Sequence, residues 1–120
     1  MNTLYDTIGA EKLRELVNKF YDIVFDQSSI AHLFDQEKSS IREKQYLFLT
    51  QFLGGPQLYS EKYRHPKLKM RHLPHKIGIA EKDEWLRCMK LAIDAMHFDE
   101  NTAISLYNCF PKVAEHMRNY

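Results

Sequence analysis

Between Ala10 and Asp26 the residues Leu13, Leu16, Val17, Phe20, Tyr21 and Val24 fall at i, i+3, i+4, i+7, i+8 and i+11. That is the 3.6-residue period of one helix face, and it predicts an amphipathic helix with one side built for burial. A helix of this kind needs partners, and three further stretches supply them. Ser39 or Ser40 reads as the N-cap of a second long helix with Ile41, Gln45, Phe48, Leu49 and Phe52 inward, stopped by Gly54, Gly55 and Pro56. Helical pattern resumes near Glu81, where Trp85, Cys88, Met89, Ala92, Ile93 and Met96 share a face. Ala103, Leu106, Phe110, Val113, Ala114 and Met117 line a fourth helix. Pro111 interrupts it, but the period continues across the proline, so one kinked helix is expected despite a cost of about 3 kcal/mol.

The connectors are short. Tyr5 and Ile8 suggest a brief helical piece ended near Gly9, and Ser28 or Ser29 can cap a turn carrying Ile30, Leu33 and Phe34. Residues 54–66 read as loop. A short helix is expected from Pro66 or Lys67 to about His72, because Pro74 disfavours α geometry at Leu73. No stretch alternates as a strand does. The expected class is all-α, with four main helices and residues 1–120 as one domain.

A chain of 120 residues buries roughly 65% of the surface that its unfolded form exposes, enough for one sizeable core. No apolar run approaches the roughly 18 residues of a membrane span. The start "MNTLYDTIGAEK" lacks the basic and apolar regions of a signal peptide, so a cytoplasmic protein with no membrane partner is expected. In that reducing compartment Cys88 and Cys109 read as buried thiols rather than a disulfide. The net charge of +1 gives the whole molecule no strong attraction for nucleic acid.

Locally the charge is uneven. Lys62, Arg64, Lys67, Lys69, Arg71 and Lys76 cluster without a nearby acid, and "HPKLKMRHLPHKIG" at 65–78 adds three histidines. This strip can serve nucleic acid, a metal or a cofactor. His72 fits an axial ligand best: it stands four residues after Leu68 on one helical face, at a helix end whose free carbonyls can accept its second N–H. His65, before Pro66, and His75, after Pro74, read as solvated surface. One histidine is too few for structural zinc, whereas haem supplies four nitrogen ligands itself and needs one axial imidazole, an apolar pocket and cations for its propionates. Lys44, Tyr59, Arg64 and Arg71 can meet propionates or can be ordinary surface. Tyr21, Gln45 and Trp85 are polar donors on inward faces. Burying one unpartnered costs roughly 1–3 kcal/mol, so they need each other, water or a ligand.

Taken in order, Phe20–Tyr21, Leu33–Phe34, Lys44–Gln45, "FLTQFLGGPQLY" at 48–59, "HPKLKMRHLPHKI" at 65–77 and "WLRCM" at 85–89 resemble the truncated haemoglobins of the second group. The likeness runs from about Tyr5 through Met117. It implies a two-over-two α-helical sandwich around non-covalent haem b, with His72 as the proximal iron ligand. It implies Tyr21, Gln45 and Trp85 on the opposite side of the iron, Phe34, Ile41, Leu68 and Met89 against the porphyrin, and Lys44, Tyr59 and Arg71 near the propionates. Two positions depart from the family's habit. Ile41 stands where a small or weakly polar residue is frequent, and Gly9–Ala10 replaces a glycine pair. The resemblance implies a binder of dioxygen or other diatomic ligands that releases oxygen slowly. Two rivals remain at this level: a redox enzyme on the same haem, a peroxidase or nitric-oxide dioxygenase served by an unidentified reductase, and a helical nucleic-acid binder using residues 62–76.

Overall fold

In the computed structural model the described residues are 3–34, 38–63 and 78–117. Thr3 opens α1 (Leu4–Ile8) with a reciprocal cap. The Asp6 N–H donates to Thr3 Oγ1 at 3.0 Å, and the Thr3 N–H donates to the Asp6 carboxylate at 3.2 Å. Gly9, at φ 87°, turns the chain directly into α2, Ala10–Gln27, so a single glycine makes the hinge. Every residue of the predicted α2 face, from Leu13 to Val24, is buried. Ser28 ends the helix by donating from Oγ to the Val24 carbonyl at 2.7 Å, and the same oxygen accepts the Ile30 N–H at 3.2 Å. A 3₁₀ turn follows at Ala31–Phe34.

The second long helix, α3, runs Lys38–Phe52. Ser39 and Ser40 therefore lie inside its first turn, and neither is the N-cap expected from the sequence. Its inward face also differs. Ile41, Phe48 and Leu49 are buried, but so are Tyr46, Thr50 and Leu53, while Phe52 is 41% exposed. The reason is that α3 packs against α2 and also against α4, Leu58–Tyr63, which widens the buried arc and turns it away from Phe52. The loop expected over residues 54–66 thus contains a helix, too short for a 3.6-residue period to register. Gln51 fastens α3 to α4: its Nε2 donates to Ser60 Oγ at 2.8 Å and its Oε1 accepts the Ser60 N–H at 2.9 Å.

α5, Ile79–Met96, begins two residues before the predicted Glu81. Gly78 precedes it, and its N–H donates to the Glu81 carboxylate at 2.7 Å. All six residues predicted to share its inner face are buried. The expected kinked fourth helix is instead two helices, α6 (Glu100–Tyr107) and α7 (Phe110–Met117), joined by a turn at Asn108–Cys109. Pro111 stands in the first turn of α7, where a backbone N–H would have no intrahelical acceptor, so its missing hydrogen costs nothing there. The apolar period nevertheless survives the break, because Leu106, Phe110, Val113 and Ala114 are all buried.

α2 is the hub of the packing: it meets α5 and α3 most extensively and also touches α1 and the 3₁₀ turn. α5 in turn carries α6 and α7. Each fully buried Leu, Val or Phe in this core is worth about 1.5–3 kcal/mol. Cys88 is buried, Cys109 half-buried, and both are free thiols.

The turn between α3 and α4 depends on its glycines. Gly54 has φ 98°, and a Cβ built there would stand 2.6 Å from the Thr3 methyl. A Cβ on Gly55 would stand 2.5 Å from the Tyr5 ring, while the Tyr5 N–H donates to the Leu53 carbonyl at 3.0 Å. Gly54→Ala should lower the unfolding free energy by about 1–3 kcal/mol, read from urea titration. An unshifted midpoint would mean that this turn tolerates a side chain.

Candidate functional site

Tyr21 is the last inward residue but one on α2, and it sits next to Phe20, which has no exposed surface. The Phe20 ring contacts Tyr21 edge-on at 4.9 Å and Trp85 of α5 at 5.2 Å between centroids. Two of the three donors singled out in the sequence are therefore gathered around one apolar ring. Both are buried, with Tyr21 3% and Trp85 4% exposed. Gln45 lies half-buried on α3, one turn after buried Ile41 and one before Phe48.

From Trp85 an aromatic chain runs on through the core. Trp85 meets Phe110 at 5.7 Å, Phe110 meets Phe52 at 6.5 Å, Phe52 stacks on Phe48 at 5.7 Å, and Phe48 meets Tyr59 of α4 at 5.7 Å. Met89, one turn after Trp85, is fully buried. Tyr59 is buried as well, and Lys44 is half-buried on α3. Phe34 ends the 3₁₀ turn, and its side chain lies outside the described residues, as do Leu68, Arg71 and His72 entirely. The same holds for Arg64, His65, Lys67, Lys69, His75 and Lys76 of the basic strip, whereas Lys62 is exposed at the end of α4.

The donors differ in how far they are enclosed. Among the described residues, no buried side-chain polar atom lacks a hydrogen-bond partner. Gln45 is only half-buried, whereas Tyr21 and Trp85 are almost wholly enclosed. Burial holds the Tyr21 phenol far above its usual pKa, and the positive charge of Arg42 pulls it partly back. Tyr21 is thus a neutral O–H donor throughout the physiological range.

Two guanidinium groups brace the helices that carry these donors, and the apolar patterns read from the sequence gave no sign of either. Arg42 of α3 donates to the Asn18 carbonyl at 3.0 Å and to the Asp22 carboxylate at 2.8 Å, both on α2. Arg87 of α5 pairs with Glu84 through two bonds of 2.7 Å and donates to the Gln27 carbonyl at 3.1 Å, closing the C-terminal end of α2. The bond from Arg87 is the main reason that the Glu84 carboxyl is held below its usual range. The sequence signal for these braces was the placement of an acid beside two of the three inward donors: Asp22 after Tyr21 and Glu84 before Trp85.

Comparison with known proteins adds an independent line. The family model for bacterial-like globins matches residues 3–119. The group 2 truncated haemoglobin YjbI of Bacillus subtilis is 39% identical over 118 residues, covering 98% of this chain and 89% of that protein. The crystal structure of a truncated oxygen-avid haemoglobin from Bacillus subtilis superposes with a TM-score of 0.91 at 39% identity, covering 98% of this chain and 100% of that one. The group II truncated haemoglobin of Bacillus anthracis superposes with a TM-score of 0.92 at 33% identity, covering 99% and 92%.

The Tyr21 environment has a consequence for stability in alkali. Above pH about 10 an unfolded tyrosine releases its proton while folded Tyr21 keeps it, so its contribution is complete below that pH and is lost as pH rises. Urea midpoints should fall from pH 10 to 12 less steeply in Tyr21→Phe than in the parent. Parallel declines would show that Tyr21 is not the group responsible.

Proposed function

The chain belongs to the bacterial-like globin family, with group II truncated haemoglobins as its structural neighbours and the family's two-over-two helical fold, and on that premise we propose that it retains dioxygen through Tyr21, Gln45 and Trp85. Globins are haem proteins that bind diatomic ligands such as oxygen, and none of the described helices is long and apolar enough to cross a membrane. We assign non-covalent haem b, held by His72 at the iron. Phe34, Ile41, Leu68 and Met89 would contact its faces, and Lys44, Tyr59 and Arg71 its propionates.

The donor set supports the fit. A half-exposed Phe52 stacked on Phe48 and leading through Phe110 to Trp85 offers an apolar, aromatic wall suited to a porphyrin. Gln45 of α3, half-buried, and Trp85 of α5, buried, each stand on the apolar face of their helix. When bound, haem supplies an iron at which a diatomic ligand gains negative charge. Tyr21 O–H, Trp85 N–H and Gln45 NH₂ would then be donors to that charge, and such donors are strongest where water is excluded. The buried Ile41, one turn before Gln45, adds bulk and no hydrogen bond, so polar stabilisation falls to the other three.

A hydrogen bond to a charged acceptor is worth about 1.5–3 kcal/mol, and each 1.4 kcal/mol is tenfold in rate. Concerted donors therefore favour retention over delivery. The observation that carries this reading is the burial of Tyr21 and Trp85 around Phe20. Stopped-flow measurement on haem-loaded protein tests it. Tyr21→Phe or Trp85→Leu should release dioxygen roughly 10- to 100-fold faster, and unchanged rates in both would mean that the donors serve the fold alone. For the iron ligand, His72→Ala should weaken the Soret band while His65→Ala and His75→Ala keep it; equal loss in all three would move the assignment elsewhere.

A further inference from the structure

We infer that Arg42 is a positioning residue that sets the distance between the Tyr21 and Gln45 donors by clamping α3 onto one turn of α2. The inference rests on the donor reading above. Arg42 precedes Gln45 by one helical turn and follows Ile41 directly. Its Nη1 donates to the Asn18 carbonyl at 3.0 Å and to Asn18 Oδ1 at 3.3 Å, and its Nη2 donates to Asp22 Oδ1 at 2.8 Å. Asn18 and Asp22 are one turn apart on α2 and bracket Tyr21. A planar guanidinium engaging two residues of one turn fixes rotation as well as spacing, which a single ammonium cannot do.

The placement is specific to this clamp. A second α2–α3 tether, Arg14 to Glu43 at 2.6 Å with Arg14 over the Tyr46 ring at 3.9 Å, lies two turns from Tyr21 and is more exposed. The Arg42 side chain is 24% exposed against 45% for Arg14. Arg42 also lies close enough for its charge to act on the Tyr21 phenol. Small misplacements of a donor cost disproportionately in rate, so a clamp one turn from each donor acts on ligand retention without touching the ligand.

The test uses the haem-loaded protein, with dioxygen release by stopped flow, the infrared C–O band of the carbon monoxide complex, and urea unfolding as the structural control. Arg42→Gln should release dioxygen about threefold to tenfold faster and broaden the C–O band, with Arg42→Lys between it and the parent. Arg14→Gln should keep the parental rate and band. In a Tyr21→Phe background, Arg42→Gln should add little. If Tyr21→Phe speeds release but Arg42→Gln leaves rate and band parental, the clamp is overturned and the donor reading stands. Equal effects from Arg14→Gln and Arg42→Gln would also overturn it, since any α2–α3 tether would then serve. If Tyr21→Phe itself has no effect the clamp is overturned, and if Trp85→Leu has none either the donor reading falls with it. Should Arg42→Gln not fold, Arg42→Lys decides: it keeps the charge facing Asp22 and loses the fork, so a parental band in that variant overturns the clamp.

Discussion

Phe20 is the contact on which the rest is arranged. Its ring has no exposed surface, and it joins the hub helix α2 to α5 by touching Trp85 while its chain neighbour Tyr21 packs edge-on against it. Edge-to-face aromatic pairs add about 0.5–1.5 kcal/mol beyond their buried area, and they also fix mutual orientation. One apolar side chain thus holds two hydrogen-bond donors from different helices at defined positions. Without it the phenol and the indole would be separate core residues with no common contact.

Polarity is introduced into this core sparingly and is braced where it occurs. Tyr21 is kept protonated by burial, whereas the charges that stabilise its surroundings stay at the rim, on Arg42, Asp22, Glu84 and Arg87. Exposed ion pairs contribute little to folding on their own, commonly less than about 1 kcal/mol. Their value here is geometric, because each guanidinium reaches a main-chain carbonyl of α2 as well as its carboxylate. The helices that carry the proposed donors are therefore tied to α2 from both α3 and α5.

Much of this was legible in the sequence, and the failures have physical causes. The faces of α2 and α5 were read residue by residue, because long helices with one buried side print a clean period. The face of α3 was misjudged at Phe52, since packing against two neighbours rotates the buried arc in a way that a single-face pattern does not encode. α4 was missed because six residues give less than two turns. The split between α6 and α7 was missed because a proline in a first turn and a proline at a kink look the same to periodicity. Near the proposed site, the burial of Tyr21 and Trp85 was legible because each stands on the apolar face of a long helix, whereas Gln45 is only half-buried. The arginine braces were not legible, because a surface charge reveals its partner only in three dimensions.

The central claim is that Tyr21, Gln45 and Trp85 share one direction, toward a ligand held opposite His72. The most direct measurement is a crystal structure of the haem-loaded protein with dioxygen. The account predicts His72 on the iron and at least the Tyr21 hydroxyl and Trp85 Nε1 within about 3.2 Å of the ligand on the other side. A ligand lying among apolar side chains, with the Tyr21 hydroxyl bonded to protein and the Trp85 N–H turned away, would contradict it.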